Sequence, residues 1–315
     1  MVHCSPKPIL IVGPTASGKS ALALRIAEAL GGVVINADAM QVYRELRVLS
    51  ARPSAEDEVR APHWLYGHVP AREAYSVGRY VADVAVALER AVAAGLRPII
   101  VGGTGLYFKA LLEGLSPIPE IAPEVRAHWR AEAQRWGAAG LHAVLASRDP
   151  DMADLLSPAD TQRLTRALEV FDGTGLSLAH WQRQKGTPLL DGAATVGLVI
   201  RPDRATLLAR CDARFDQMMA AGALDEVRGL LDAGLDPKLP VMGALGVAPL
   251  AAFLRGEQGL DDATARAKLE TRRYIKRQLT WLKRNMVSWN SAIAIENERN
   301  DRSIKQFIDC CAAVA

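Results

Sequence analysis

A glycine-rich loop near the start of the chain constrains the fold more than any other feature. It fits the pattern G-x-x-x-x-G-K-[ST] and reads Gly13-Pro14-Thr15-Ala16-Ser17-Gly18-Lys19-Ser20. The apolar run Ile9–Val12 precedes the loop, and the alanine- and leucine-rich run Lys19–Leu30 follows it with helical character. In this strand–loop–helix context the pattern predicts a phosphate-binding loop whose backbone N–H groups turn toward a diphosphate.

The loop predicts a class of ligand and leaves the reaction open. Lys19 is expected to neutralise phosphate oxygens, and the Ser20 hydroxyl is expected to coordinate Mg²⁺. Any diphosphate ester satisfies such a loop, so the motif by itself does not imply ATP. The chain has no N-K-x-D motif, and its D-x-x-G match at 172–175 follows a predicted helix instead of a strand. These features argue against a GTPase.

Short apolar runs separated by helical segments predict a parallel sheet. Runs 9–12, 33–35 and 99–101 are apolar without alternation, as is typical of strands buried on both faces. A helical pattern closed by Gly95 precedes the third run, and 195–200 is one more predicted strand. The predicted fold class is α/β, with a P-loop NTPase-like parallel sheet core and a helical insertion domain.

Helical patterns dominate between the last two predicted strands. Pro123 is well placed as a first helical residue, and 157–160 reads Ser-Pro-Ala-Asp, a helix start that resembles a capping box. Residues 116–194 are therefore predicted to form the helical insertion domain. The core then comprises 1–115 and 195–315, and its last part, from residue 202, is predicted to be helical.

Polar residues follow two of the predicted strands. Because ligands bind at the carboxyl ends of strands in open α/β sheets, Asp38 and Thr104 should face the phosphate-binding loop. Asp38 is predicted to be a general base or a metal ligand, with a helix cap as the alternative. Thr104 lies among glycines that let a ligand approach, with a tight turn as the alternative. Either Arg210 or Arg214, four apart on a predicted helix, is expected to join the diphosphate, with a solvated helix surface as the alternative.

A basic run near the C-terminus predicts a nucleic-acid surface. Residues 271–284 contain six arginines and lysines and no acidic residue. Helical spacing turns Ile275, Leu279 and Leu282 toward the core and leaves a cationic face on the other side. The residues of that face are Arg273, Lys276 and Arg277, together with Thr280. An ordinary solvated helix is the alternative, although such helices usually mix in acidic residues.

Composition restricts the class and the compartment. Half of the residues are hydrophobic, which excludes a disordered chain, and 38 basic against 35 acidic residues exclude a polycation. The four cysteines include no C-x-x-C pair, so a reducing, cytoplasmic location is expected. The longest uncharged run, 239–254, is too short for a bilayer and contains two prolines. We expect a monomer that has no membrane partner.

Five segments together resemble one known family. They are the phosphate-binding loop and the segments 38–43 (Asp-Ala-Met-Gln-Val-Tyr), 102–107 (Gly-Gly-Thr-Gly-Leu-Tyr), 162–169 (Gln-Arg-Leu-Thr-Arg-Ala-Leu-Glu) and 271–281 (Thr-Arg-Arg-Tyr-Ile-Lys-Arg-Gln-Leu-Thr-Trp). In sequence and in order they resemble the tRNA dimethylallyltransferases (tRNA isopentenyltransferases) of bacterial type. Two departures are Ala39, where the family usually has serine, and 246–249, which lacks the family's tyrosine and basic residue.

The resemblance implies an activity and a set of site residues. Such enzymes transfer a dimethylallyl group from dimethylallyl diphosphate to the exocyclic amine of the adenosine 3′ of the anticodon, tRNA position 37, with Mg²⁺. It implies that the loop binds the donor diphosphate, that Asp38 is the general base, and that Thr104 lies near the diphosphate and the target base. The residues implied to contact the tRNA anticodon stem-loop are Asp38, Ala39, Met40, Gln41, Thr104, Arg126, Gln162, Arg163, Leu164, Thr165, Arg166, Arg273, Lys276 and Arg277.

Other functions remain open at the level of sequence. A P-loop small-molecule or nucleotide kinase would use ATP and could use the arginines of the insertion as a lid. A non-catalytic RNA-binding protein would bind tRNA without forming a product. Prenylation of free AMP would use the same chemistry, but it leaves the insertion and the basic helix without a purpose.

Overall fold

The computed structural model describes residues 7–286, 293–295, 307–309 and 311. The chain divides into two compact units, one formed by residues up to 112 and from 189 onward, the other by Glu113–Pro188. The second unit begins at residue 113 and ends at residue 188, whereas the range predicted from the sequence is 116–194. The reason is that Leu190 already belongs to the sheet core, where its N–H donates to the carbonyl of Leu111.

The first unit contains a parallel sheet. Its described strands are β1 (Ile9–Val12), β2 (Gly32–Asn36), β3 (His63–Trp64), β4 (Arg97–Gly102), β5 (Val196–Ile200) and β6 (Ile293–Ile295). They are ordered β3-β2-β4-β1-β5-β6. The predicted α/β class and the four predicted strands are thereby confirmed. The part after residue 202, predicted to be helical, also contains the short strand β6, which pairs with β5; a three-residue strand is too short to produce a detectable period.

The described helices surround the sheet and build the second unit. They are α1 (Lys19–Leu30), α2 (Ala55–Arg60), α3 (Val77–Ala93), α4 (Gly105–Glu113), α5 (Pro123–Arg148), α6 (Pro150–Leu155), α7 (Thr161–Thr174), α8 (Leu178–Arg183), α9 (Arg204–Ala220), α10 (Ala223–Asp232), α11 (Val247–Leu254) and α12 (Leu260–Asn285). None of the helices in the described ranges is both long and apolar enough to cross a membrane.

The central strand β1 supplies side chains to two hydrophobic cores. Ile9 and Ile11 pack on one face of the sheet with residues of α1 such as Ile26. Leu10 and Val12 pack on the other face with α3 and α4. Because both faces are covered, every position of the strand is apolar, and the polar groups needed for function lie in the loops that follow the strands.

A third core closes the side of the unit formed by α9 to α12. Segment 42–49 contributes Tyr43 and Leu46, which are fully buried. They belong to the same cluster as Phe215 of α9 and Val247 and Leu250 of α11. The packing fixes α9 and the 42–49 segment beside the carboxyl end of the sheet.

The second unit is an all-helical cluster around Trp129 and Leu164. Helix α5 is interrupted at Gly137, whose φ of 62° is unfavourable for other residues. The predicted helix start at Ser157 is wrong. Helix α7 begins at Thr161, where the carboxylate of Asp160 accepts the N–H of Arg163; the Ser157 hydroxyl instead accepts the N–H of Ala159 in the preceding turn.

Two of the four cysteines, Cys211 and Cys311, are buried in the first unit. Cys4 and Cys310 lie outside the described residues.

Candidate active site

The phosphate-binding loop connects β1 to α1. Gly13 N–H donates to the carbonyl of Gly102 at 3.4 Å, so the loop starts against the end of the neighbouring strand β4. Ala16 and Gly18 adopt left-handed conformations with φ of 59° and 85°, and Gly18 is the N-cap of α1. These turns direct the chain around the positive end of α1, where backbone N–H groups attract an anion. Ser17 is buried beneath the loop, whereas Ser20 is exposed in the first turn of α1.

Two cationic side chains converge on this loop. The Lys19 ammonium is enclosed by it, and Nζ donates to the carbonyl of Pro14 at 3.2 Å. Arg214 of α9 donates to Thr15 Oγ1. Burial lowers the pKa of Lys19 to about 8; Asp38 opposes this lowering and the Arg214 guanidinium adds to it. Burial likewise lowers the pKa of Arg214, so an anion bound here would be strongly favoured by both groups.

Asp38 is held at the end of β2 by its own turn and by Asn36. Asn36 accepts the Asp38 N–H at 2.9 Å and donates to the Asp38 carbonyl at 3.0 Å. The Asp38 carboxylate accepts the N–H of Met40 at 2.9 Å. None of the described helices begins at this turn, so the helix-cap alternative for Asp38 is wrong. The carboxylate is held by a short polar turn with a defined orientation.

Thr104 ties the end of β4 to the same turn. Its Oγ1 accepts the N–H of Ala39 at 3.0 Å, and its own N–H donates to the carbonyl of Ala37 at 3.2 Å. The two strand ends approach so closely that a Cβ on Gly102 would lie 2.0 Å from the Ala37 oxygen. Glycine at position 102 is therefore required by the close contact that brings Thr104 beside Asp38.

A cavity of about 230 Å³ opens between these groups. Polar residues from five segments border it: Thr15, Asp38, Thr104, Arg214 and Arg277. The rest of its wall is largely apolar and includes Met40, Leu49, Phe215, Met218 and Leu245, together with Ala39. The cavity can thus hold a ligand that has an anionic part and an apolar part.

Of the two candidate arginines, Arg210 and Arg214, it is Arg214 that borders the cavity. Gln41 points elsewhere: its side-chain amide donates to the carbonyls of Ser50 and Ala51, both at 2.9 Å. In this structure Gln41 holds the segment that carries Leu49 and Ser50 to the cavity wall.

The basic face predicted for α12 is present. Arg273 and Lys276 are exposed on this helix, and Arg277 reaches the cavity. Ile275 and Leu282 are buried, as predicted.

The insertion helices place some of the predicted tRNA residues at the surface and others in the core. Gln162 and Arg163 are exposed, and Arg126 and Arg166 are half-buried. Leu164 has no exposed surface and packs in the helical core of the unit, so its assignment to tRNA contact stays a prediction that the side chain does not support.

Two further residues of α7 are also occupied within the unit. Thr165 is nearly buried, and its hydroxyl donates to the carbonyl of Thr161 on the same helix. Its contact with tRNA stays a prediction. Glu169, the last residue of the family-like segment 162–169, is buried and pairs with Arg166 and Arg130.

Two site residues were missed by sequence reasoning. Asn36 directly follows the predicted strand 33–35, and no local pattern marks its bonds to Asp38. Gln278 is buried with Thr271, Ile275 and Leu282 on one stripe of α12. A polar residue within a buried stripe was the signal that could have identified it.

No group of three or more histidine, cysteine, aspartate or glutamate side chains in the described part of the chain could hold a metal ion. Any Mg²⁺ would therefore depend on Ser20 and on the oxygens of a bound diphosphate, which is how this ion is usually held beside phosphates. The exposed hydroxyl of Ser20, next to Lys19 at the start of α1, is compatible with that role.

Fold and site together define a P-loop α/β protein that has a carboxylate beside the loop. Family models named IPP transferase and Isopentenyl transferase match residues 41–285 and 6–66. The tRNA dimethylallyltransferase of Rhodospirillum rubrum is 58% identical over 276 residues, which are 87% of this chain and 84% of the relative. The chain belongs to the tRNA dimethylallyltransferase family, whose members are prenyltransferases.

Two solved structures are similar to this one. The full-length tRNA isopentenylpyrophosphate transferase of Bacillus halodurans is 30% identical, with a TM-score of 0.68 over 98% of this chain and 96% of that chain. A eukaryotic dimethylallyltransferase described as acting on tRNA is 26% identical, with a TM-score of 0.78 over 98% of this chain and 78% of that chain. The kinase alternative finds no support among these relatives.

Proposed function

We propose that this protein transfers a dimethylallyl group from dimethylallyl diphosphate to the exocyclic amine of the adenosine at tRNA position 37. One observation carries the proposal: the Asp38 carboxylate, the Arg214 guanidinium and an apolar wall border the same cavity, and Arg214 bonds to the phosphate-binding loop that holds Lys19. The relatives named above support it, because the Rhodospirillum rubrum protein is named tRNA dimethylallyltransferase and one neighbour is described as acting on tRNA.

Asp38 provides the base that this reaction needs. The adenine amine is a poor nucleophile because its lone pair is delocalised into the ring. As the new nitrogen–carbon bond forms, the carbon–oxygen bond to the diphosphate breaks, and the amine proton passes to the Asp38 carboxylate. The Asn36 contacts and the bond from Met40 keep the carboxylate oriented for that transfer.

The phosphate-binding loop stabilises the leaving diphosphate. Negative charge grows on the diphosphate as the carbon–oxygen bond breaks, and Lys19, Arg214 and the loop amides are directed at it. Mg²⁺ held at Ser20 would supply further positive charge to the same oxygens. The apolar residues Met40, Phe215 and Met218 suit the five-carbon prenyl group, which has no polar atom to satisfy.

The RNA must present its base to this cavity from an exposed surface. Removing a base from a single-stranded loop costs about a few kcal/mol or less, so an anticodon loop is a favourable substrate. Arg273, Lys276 and Arg277 on α12 would bind phosphates, and Arg126 and Gln162 in the insertion unit are further contacts. We place the enzyme in the cytoplasm, because cysteines without a C-x-x-C pair are expected in a reducing compartment, and we propose that it acts as a monomer.

Mass spectrometry of an unmodified anticodon stem-loop tests the proposal. Incubation with the protein, Mg²⁺ and dimethylallyl diphosphate is expected to add one five-carbon unit to the adenosine 3′ of the anticodon. A stem-loop with guanosine at that position is the matched control and should gain no mass. An unmodified adenosine, together with phosphate transfer from ATP to a small acceptor, would replace this proposal with the kinase.

The contribution of α12 to RNA binding can be measured by salt dependence. Because Arg273 and Arg277 each neutralise about one phosphate, each alanine substitution should reduce the slope of log affinity against log salt by about 0.7 to 1. Arg255→Ala, which removes an exposed arginine paired with Glu257, is the control and should leave the slope unchanged. An unaltered slope in both α12 variants would remove this helix from the RNA surface.

A further inference from the structure

One buried amide connects the two halves of the site. Gln278 of α12 is 7% exposed. Its Oε1 accepts the N–H of Thr15 in the phosphate-binding loop at 3.0 Å, and its Nε2 donates to the carbonyl of Gly103 at 3.0 Å. Both side-chain polar atoms are thus used, each on a different loop. An amide in this position holds the two loops at a fixed separation.

Each bonded loop carries one part of the proposed chemistry. Thr15 lies in the phosphate-binding loop with Lys19, and its hydroxyl accepts a hydrogen bond from Arg214. It therefore belongs to the part of the site proposed to bind the diphosphate. Gly103 precedes Thr104, whose hydroxyl accepts the N–H of Ala39, the residue after Asp38. Gly103 therefore belongs to the part of the site that carries the proposed general base. The separation of these loops therefore sets how far the bound diphosphate lies from Asp38. The allylic carbon and the amine must meet within that gap.

The fit around Gln278 is tight. A Cβ on Gly103 would lie 2.4 Å from Gln278 Nε2 and 3.3 Å from the Gly13 oxygen. A Cβ on Gly105 would lie 2.4 Å from the ring of Trp281, one turn further along α12. The glycines at 103 and 105 let the helix approach the loop closely enough for the amide to reach it.

We infer that Gln278 is a positioning residue that sets the donor diphosphate in register with Asp38. The inference rests on the proposed function. Other contacts hold α12 itself in place: Lys268 pairs with Asp216 at 2.6 Å, Arg272 pairs with Asp212, and Ile275 is buried. Loss of the Gln278 amide should therefore misalign the two loops without displacing the basic face of the helix.

The first test substitutes Gln278 with methionine, whose side chain has a similar length but forms neither of the two hydrogen bonds. Affinity for inorganic pyrophosphate in Mg²⁺ buffer should fall about tenfold, in proportion to one lost buried hydrogen bond to the loop. The single-turnover rate of prenyl transfer should fall about 100-fold, because displacements near 1 Å have effects of that size. Affinity for the anticodon stem-loop should be unchanged.

Matched variants separate positioning from folding. Asn285→Met is the control, since the Asn285 amide bonds to the carbonyl of Trp281 on the same helix; it should retain the wild-type rate. Gln278→Glu keeps an acceptor for Thr15 and loses the donor to Gly103, and it provides a second variant if the methionine protein does not fold. Its transfer rate should also fall, with stem-loop affinity retained.

A double-mutant cycle tests the contact directly. Gly103→Ala should slow transfer strongly in the wild-type background and much less in a Gln278→Ala background, where space has been opened for the new Cβ. Additive effects, a wild-type rate in Gln278→Met, or an equal loss of pyrophosphate and stem-loop affinity would each overturn the inference. A wild-type protein without transfer activity would instead contradict the proposed function, while the pyrophosphate titrations would still test the bridge.

Discussion

Substitution of Asp38 by asparagine is expected to lower the rate of prenyl transfer by about 10² to 10⁴-fold, the usual contribution of a general base. The asparagine oxygen can still accept the N–H of Met40, so the turn that carries the side chain should persist. What is lost is the capacity to take the amine proton. Single-turnover kinetics with the anticodon stem-loop measure the effect without interference from product release.

Three measurements accompany this variant. The affinity for dimethylallyl diphosphate should stay close to that of the wild type, because Lys19 and Arg214 are unaltered. The melting temperature should also be retained. Asp225→Asn, which changes an exposed carboxylate on α10, is the control and should have the wild-type rate. Wild-type turnover in Asp38→Asn would show that another group accepts the proton.

Substitution of Lys19 by methionine is expected to weaken donor binding and transfer by about 10² to 10³-fold, as removal of a group that stabilises developing charge does. The side chain is the cation enclosed by the loop, and methionine has a similar length without the charge. Isothermal titration with dimethylallyl diphosphate measures the binding loss. Lys238→Met, on an exposed loop of the same unit, is the control and should bind the donor normally.

The lowered pKa of Lys19 adds a pH dependence to donor binding. The free protein holds this amine with a pKa of about 8, and a bound diphosphate favours its charged form and raises that value. Above pH 8 binding must therefore take up a proton. The affinity for the donor should then decrease with rising pH, by up to about tenfold per pH unit. Below pH 8 the amine is already charged and affinity should be flat. Lys19→Met should bind weakly and show no such break.

Local sequence patterns were sufficient for the strands and for the phosphate-binding loop. Runs of apolar residues predicted β1, β2, β4 and β5, because a strand covered on both faces has no polar position. The same reasoning missed β3 and β6, which are too short to show a period. It placed the start of α7 at Ser157 instead of Asp160, because either residue type can cap a helix and only the backbone conformation decides between them.

The candidate site could be predicted only where it follows from strand order and spacing. Asp38 and Thr104 were identified because both follow strands of one parallel sheet, and such ends share an edge. Leu164 and Thr165, which the resemblance assigns to tRNA contact, are buried, because a motif of consecutive residues on a helix includes its buried side as well as its exposed side. Burial of these two residues depends on α5, which the motif does not contain.

The sequence by itself determined the loop that binds phosphate, the α/β class and the two strand ends that carry Asp38 and Thr104. These features depend on local periodicity and on neighbours along the chain. Only the tertiary structure decided that Arg214 reaches Thr15, and that Gln278 joins loops 263 and 175 positions away. The physical reason is that contacts between distant segments depend on how whole helices pack against the sheet, which no local pattern encodes.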